Sequence, residues 1–141
     1  MSRPTSRDAK SAALIFSLDL ATGVPAYRQV INQILGAVAS GTLKGGDQLP
    51  TVRQLAVDLS INPNTVIRAY RELEIRNVLS TQQGIGTFIT TEPVKRDEAM
   101  RQRQIDNLVS DVMARAGANG ITGAELVVRL REFISDQKRG S

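Results

Sequence analysis

The chain of 141 residues contains neither cysteine nor histidine. Without these residues a protein has no disulfide, no thiolate or imidazole metal ligand, no cysteine nucleophile and no histidine general base. Most common catalytic arrangements are excluded with them. The sequence therefore predicts no metal site and no cofactor, and it does not favour an enzyme.

The sequence also lacks a long apolar run. None approaches the roughly 18 residues that a membrane-spanning helix needs, and residues 1–10 are polar, without the apolar stretch of a secretory signal. We therefore expect a soluble, cytoplasmic protein with no membrane partner. Apolar residues make up 41% of the chain, which favours a packed core over a disordered chain.

Positive charge exceeds negative charge by only a small margin. The chain has 18 lysines and arginines against 14 aspartates and glutamates, a formal net charge of +4. A basic balance is compatible with nucleic-acid binding, but many other soluble proteins carry as much charge. The function must therefore be judged from the motifs.

The N-terminal part of the chain predicts one long helix. Residues 1–13 show no period and predict a flexible segment, and residues 14–20 predict a short extended arm. From about Pro25 to Ser40, apolar residues recur three and four positions apart, which indicates a helix with one buried face. The residues of this face are Tyr27, Val30, Ile31, Ile34, Leu35 and Val38.

Two shorter helices follow, with a tight turn between them. Thr51 and Gln54 have the form of a capping box before a helix that ends at Leu59. Asn62 and Pro63 suit the N-cap and first position of a second helix, which ends at about Arg76. Helices of about nine and fourteen residues joined in this way are typical of a helix-turn-helix. Their inward residues are Val52, Leu55, Ala56, Leu59, Val66, Ala69, Tyr70 and Leu73.

A β-hairpin is predicted directly after the helix-turn-helix. Residues 78–81 and 87–90 favour strands, and Gly84 and Gly86 between them indicate a tight turn. This order of elements predicts a winged helix. The expected fold is mainly α with a small β-hairpin: a winged helix-turn-helix domain at residues 14–92, then a two-helix region at 93–141.

The C-terminal region predicts two amphipathic helices, one from about Lys95 to Ala116 and one from a capping box at Thr122 to about Lys138. Two such helices cannot enclose a ligand cavity of their own, and they bury little surface by folding onto each other. We expect their apolar stripes to pack against a second copy, which places two DNA-reading helices about one DNA turn apart. Packing on the winged helix of the same chain is the alternative. The expected dimer residues are Ile105, Leu108, Val109, Val112, Leu126, Leu130, Phe133 and Ile134.

The outward side of the second helix of the helix-turn-helix carries groups that can contact DNA bases. Asparagine pairs with adenine, arginine with guanine, and isoleucine packs on the methyl of thymine. Arg53 lies in the first turn of the preceding helix, where a cation opposes the helix dipole unless it meets a phosphate or a base. The wing carries little charge, so we expect it to contribute little to affinity. The candidate residues for contact with double-stranded DNA are Thr51, Arg53, Asn62, Asn64, Thr65, Ile67, Arg68, Arg71 and Gly84.

Four segments together resemble the GntR family of bacterial transcription factors. They are residues 24–30, 46–56, 62–74 and 84–88, which read VPAYRQV, GDQLPTVRQLA, NPNTVIRAYRELE and GIGTF. The resemblance is close over residues 16–90. The VRQLA and NPNTV forms, followed by a short two-helix tail, look like the YtrA-type branch of the family.

The resemblance implies a homodimeric repressor that binds a palindromic operator of its own operon. Members of this branch commonly control ABC-transporter operons. It places Arg53, Thr65 and Gly84 at positions where the family contacts DNA. Ile67 stands where the wider family often has an arginine. Ser60 replaces the usual turn glycine, and a serine held there at positive φ costs on the order of 1 kcal/mol.

Other functions remain open at the level of the sequence. A winged helix used only for protein interaction predicts no salt-dependent DNA affinity, and a non-specific architectural protein predicts affinity indifferent to base sequence. An enzyme based on Asp19, Asp47 and Asp58 is a third alternative, although these carboxylates follow no catalytic spacing and caps or loops explain them. The sequence leaves a small-molecule effector unknown: it shows no convincing pocket, and a ligand between the wing and the tail or at the dimer seam stays open.

Overall fold

The computed structural model describes residues 16–91 and 97–140. The chain divides into two compact units, one within the residues up to Thr91 and the other formed by Glu92–Ser135. The segment 1–13, predicted to be flexible, and the predicted domain boundary at 92–93 lie outside the described residues.

The first unit contains three helices, α1 (Ala26–Ser40), α2 (Val52–Leu59) and α3 (Pro63–Ile75). Both predicted N-caps of the helix-turn-helix are confirmed. The hydroxyl of Thr51 accepts a hydrogen bond from the amide of Gln54 at 3.0 Å, and the side-chain oxygen of Asn62 accepts one from Asn64 at 2.8 Å. The reciprocal half of the first capping box is wrong, because the Gln54 amide donates to Asp58 one turn further along α2.

A three-stranded antiparallel sheet completes this unit. Its strands are β1 (Gln48–Leu49), β2 (Leu79–Gln82) and β3 (Gly86–Ile89), in the order β1-β3-β2. The hairpin of β2 and β3 confirms the predicted wing. Strand β1 was not predicted; it pairs Gln48 with Phe88 and Leu49 with Thr87, so the wing is attached to the segment that enters α2.

The core of the first unit lies between the three helices and the sheet. All four residues predicted to face inward from α3 are buried. In α1 the prediction for Val38 is wrong: this side chain is 37% exposed, because the buried side of α1 ends on Ala37 and Ser40 instead. The buried apolar residues are Phe16, Val30, Ile31, Ile34, Ala37, Leu43, Leu49, Leu55, Ala56, Val66, Ala69, Tyr70, Leu73, Leu79 and Ile89.

The segment before α1 lies against that helix through two glutamine side chains. Gln33 and Gln29 each donate to and accept from the backbone, at Ser17 and Asp19 respectively. Phe16 is buried in the core. The extended arm is shorter than predicted, because Leu20–Thr22 form a single 3₁₀ turn.

The turn between α2 and α3 depends on a strained serine. Ser60 has φ +56°, as the resemblance predicted for this glycine position. The amide of Ser60 donates to the carbonyl of Val57, and that of Ile61 to the carbonyl of Ala56. These two bonds satisfy carbonyls at the end of α2, which is the Schellman arrangement. Asn77 ends α3 in the same way, with φ +61°.

The second unit is built from two long helices, α4 (Glu98–Ala118) and α5 (Gly123–Gly140). Asp97 caps α4, which begins later than predicted, and Thr122 caps α5 as predicted by accepting from the amide of Glu125 at 3.2 Å. Gly120, at φ +70°, allows the turn between them. None of the helices in the described parts of the chain is both long and apolar enough to cross a bilayer.

Candidate nucleic-acid interface

Helix α3 has one side fixed by the core and one side open. Val66, Ala69 and Leu73 are completely buried, which turns the opposite side outward. Along that side lie exposed polar, cationic and apolar groups. Thr65, at the flank, is half-buried. The exposed residues of the predicted set on α3 are Asn64, Ile67, Arg68 and Arg71.

One buried hydrogen bond joins α3 to the residue that precedes the N-cap of α2. The hydroxyl of Tyr70 donates to the carbonyl oxygen of Pro50 at 2.7 Å. Both residues are buried, and burial raises the pKa of the Tyr70 phenol well above its ordinary value. The neutral phenol is therefore the form that the fold requires. Because Pro50 precedes the cap of α2, this bond couples the two helices of the motif.

The first turn of α2 presents Thr51 and Arg53 to solvent. The oxygen of the Thr51 hydroxyl accepts the capping bond, so its proton remains available to a phosphate oxygen. Similarly, Asn62 uses its side-chain carbonyl oxygen for the cap of α3, and its amide donors have no partner among the described residues. Among the described residues, neither Arg53 nor Arg71 forms an ion pair. Both guanidinium groups thus retain donors for an anionic partner.

The tip of the wing is a tight turn that requires glycine. The amide of Ile85 donates to the carbonyl of Gln82 at 2.9 Å, and Gly84 has φ +77°, as at the third position of a type II turn. The tip is uncharged, and Ile85 is 66% exposed. Gln83 is also exposed. The wing therefore offers shape and apolar surface rather than charge.

Gln48, in strand β1, forms a side-chain hydrogen bond to the tip of the wing. Its side-chain amide donates to the carbonyl of Ile85 at 3.3 Å. It fits there because residue 86 is glycine: a Cβ on Gly86 would lie only 2.4 Å from the amide nitrogen of Gln48. Gln48 was not predicted from the sequence, because its position beside the wing depends on the pairing of strand β1 with β3, which was not predicted either.

The predicted residue Arg68 contacts an aromatic ring. Its guanidinium carbon lies 3.7 Å from the centroid of the Tyr27 ring, in the first turn of α1. The guanidinium of Arg28 lies 5.3 Å from the same centroid. Tyr27, which the sequence assigned to the buried face of α1, is half-buried and supports a cation of α3.

The carboxylate one helical turn after Arg68 is already paired with other arginines. Glu72 accepts from Arg28 at 3.4 Å, and Arg76 lies 3.7 Å from the same carboxylate oxygen. Arg68, one turn before Glu72 on α3, has no ion pair within the described residues. The sequence predicts Arg68 as a contact residue but does not predict Tyr27 and Glu72 as its surroundings.

The structure thus brings eight of the nine predicted DNA-contacting residues onto the two packed helices α2 and α3 and their caps, and the ninth, Gly84, onto the wing. The predicted dimer residues form a separate group on α4 and α5. Most of them are exposed, while Leu126 and Ile134 are partly covered.

Comparison with known sequences gives a consistent result. The family described as bacterial regulatory proteins, gntR family, matches residues 26–89. The HTH-type transcriptional repressor YtrA of Bacillus subtilis is 34% identical over 130 residues, covering 89% of this chain and 97% of that protein. The uncharacterized HTH-type transcriptional regulator YhcF of the same organism is 30% identical over 109 residues, covering 77% of this chain and 89% of the relative.

Solved structures show the same similarity. A transcriptional antiterminator from Listeria monocytogenes superposes with a TM-score of 0.65 at 27% identity, covering 87% of this chain and 92% of that one. YtrA from Sulfolobus acidocaldarius, described as a GntR-family transcription factor, gives a TM-score of 0.54 at 31% identity, covering 74% and 98% respectively. The predicted winged-helix fold is confirmed.

Proposed function

The chain belongs to the GntR family of bacterial regulatory proteins and is a DNA-binding transcriptional regulator, and we propose that it is a homodimeric repressor of its own operon. The relative YtrA, similar over nearly its whole length, is named a repressor, which supports this sign of regulation. The resemblance to the YtrA-type branch favours an ABC-transporter operon as the regulated unit.

The observation that carries the proposal is the open side of α3. This side is exposed although the helix is otherwise tightly packed, and its cations Arg68 and Arg71 have no carboxylate partner among the described residues. A helix of this kind fits the major groove of B-form DNA, where Asn64, Ile67 and Arg71 can meet base edges.

The groups around this side suit the DNA backbone. The free hydroxyl proton of Thr51, the amide donors of Asn62 and the guanidinium of Arg53 lie at helix N-termini, where the helix dipole attracts phosphate. Thr65 lies at the flank of α3. We assign these four residues to phosphate contact, which positions the protein, and leave sequence discrimination to the outward side of α3.

The apolar stripes of α4 and α5 support the dimer. Leu108 of α4 and Leu130 of α5 are 64% and 60% exposed, an unfavourable state for large apolar side chains that belong to an apolar stripe. A second copy covers them with a matching surface, which a two-fold interface requires. Two copies then present two α3 helices to a palindromic operator and occupy the promoter against polymerase.

The proposal is tested by binding to two duplexes at two salt concentrations. One duplex is the promoter region upstream of the protein's own gene, and the other has the same base composition in scrambled order. We expect tighter binding to the promoter duplex, by a factor of about 10³ or more, and weaker binding to both at higher salt. Equal affinity for both duplexes indicates an architectural protein, and no affinity for either indicates an interaction module.

Arg71→Ala tests the assignment of α3. We expect it to weaken promoter binding by about 1–3 kcal/mol and to relax discrimination between the duplexes. Lys44→Ala is the matched control, because it removes the same charge from an exposed loop of the same unit. If the two variants bind alike, the outward side of α3 does not read the operator.

A further inference from the structure

We propose that Tyr27 is a positioning residue that holds Arg68 for contact with the phosphate backbone beside the groove. This inference rests on the proposed function and assigns a specific role within it. Its basis is the stacking of a cation of α3 on a ring of α1, together with the engagement of the neighbouring carboxylate by other arginines.

The contact with the Tyr27 ring restricts the position of the Arg68 guanidinium and leaves its donors without an acceptor. A guanidinium carbon 3.7 Å from a ring centroid lies in cation–π contact. A guanidinium has five N–H donors, and a cation–π contact gives none of them an oxygen or nitrogen acceptor. The side chain of Arg68 makes no hydrogen bond to any described residue, so its donors are available while its position is restricted.

The surroundings of Arg68 also preserve its charge. Glu72 is four residues after Arg68, the spacing at which an arginine and a glutamate commonly pair on a helix. The carboxylate of Glu72 is engaged instead by Arg28 and Arg76. Arg68 therefore lies on an aromatic ring, beside a carboxylate that other cations occupy, and keeps its attraction for an anion.

The direction of the stack favours phosphate over a base edge. Tyr27 belongs to the first turn of α1, so contact with its ring draws Arg68 toward the α1 flank of α3. The outward side, on which Asn64 and Arg71 lie, faces the floor of the groove in the proposed complex. A cation at the flank meets the strand that borders the groove, where contacts are to phosphates.

A double-mutant cycle on the full-length protein tests this role. Tyr27→Leu, Arg68→Ala and the double variant are compared with the wild type on the promoter and scrambled duplexes, across a salt titration. We expect Arg68→Ala to weaken binding to both duplexes by a similar factor, about tenfold, and to reduce the salt slope by about one. Tyr27→Leu should weaken binding several-fold in the wild-type background and not at all in the Arg68→Ala background.

Two conservative variants separate positioning from other roles. Tyr27→Phe keeps the ring and should bind as the wild type does, whereas a phosphate contact by the phenol itself predicts a loss. Arg68→Lys keeps the charge without the planar group, so it should retain the salt slope but bind less tightly. Thermal melts of every variant identify any that is unfolded. If Tyr27→Leu or Arg68→Ala is unfolded, the role is read from Tyr27→Phe, which should bind as the wild type does, and from Arg68→Lys, which should bind less tightly at an unchanged salt slope. A loss by Tyr27→Phe, or wild-type affinity of Arg68→Lys, contradicts the positioning role.

The outcomes are distinct. Independent effects of Tyr27→Leu and Arg68→Ala overturn the positioning role, and a loss by Arg68→Ala on the promoter duplex alone overturns the phosphate assignment. Unchanged binding by Arg68→Ala, with a wild type that prefers the promoter duplex, overturns this inference and leaves the proposed function intact. A wild type without such a preference overturns the proposed function itself.

Discussion

The two units of the chain use the same apolar periodicity with opposite results. In the first unit the apolar side of α3 is completely enclosed by α1, α2 and the sheet. In the second unit the stripes of α4 and α5 stay largely exposed, and Ala116 is the one fully buried apolar residue among the described residues of those helices. The first unit therefore contains its own core, whereas the second leaves its apolar stripes exposed in a single copy, and in the proposed dimer a second copy covers them.

Truncation after Thr91 gives the largest expected contrast. The remaining winged helix should fold, because its buried residues contact one another, but it should be monomeric. Losing the second reading helix should lower operator affinity by about 10²–10⁴-fold, since the two contacts no longer act together. Sedimentation, thermal melting and promoter binding measure the three effects. A stable dimer of the truncated protein would contradict the role of α4 and α5.

A pair of leucine substitutions tests the two kinds of core. Leu73→Ala, in α3, should lower the free energy of unfolding by about 2–5 kcal/mol, because it leaves a cavity in an enclosed core. Leu108→Ala, in α4, should barely change the stability of the winged helix and should instead raise the dissociation constant of the dimer. Denaturant titrations at two protein concentrations distinguish these results. Equal, concentration-independent losses would show that α4 packs within its own chain.

Tyr70→Phe removes the buried hydrogen bond to Pro50 and should cost about 1–2 kcal/mol, because a buried carbonyl loses its donor. Burial raises the pKa of the phenol in the folded state, so the unfolded chain loses this proton at lower pH. Tyr70 therefore stabilises the fold fully below about pH 10, and its contribution falls as the pH rises above that value. Urea titrations between pH 8 and pH 11 should show a weaker decline for Tyr70→Phe than for the wild type.

The turns give the smallest effects. Ser60→Gly should stabilise the winged helix by about 0.5 kcal/mol, because relief of the positive φ exceeds the added entropy of the unfolded chain. Gly120→Ala is the counterpart in the second unit, where the added Cβ meets nothing within 4 Å but φ is +70°. It should weaken the α4–α5 turn by about 1 kcal/mol. Opposite signs in the two melts confirm that backbone conformation, rather than space, decides both.

Local patterns predicted the parts of the fold that depend on neighbouring residues. The cap at Asn62, the inward side of α3 and the wing glycines all follow from spacings of a few positions, and the family resemblance located Ser60 at positive φ. Strand β1 could not be predicted, because its two residues are defined by pairing with Phe88 and Thr87.

The candidate site shows the same division. Arg68 could be named from the helix periodicity alone. The ring beneath it is 41 positions earlier in the chain, and the contact depends on how α1 crosses α3. The brace from Gln48 to the wing likewise depends on strand pairing. The sequence thus identifies side chains that can bind, whereas the residues that position those side chains are identified only from the folded structure.

Strand β1 and the cap of α2 occupy four successive residues, from Gln48 to Thr51. Gln48 holds the wing, the carbonyl of Pro50 receives Tyr70 of α3, and Thr51 begins α2. The wing tip and α3 are therefore both bonded to one short stretch of backbone, which links their positions. In the proposed complex the protein sets the distance between the wing and α3. The DNA must then deform to fit that distance, and the energy of this deformation depends on the DNA sequence.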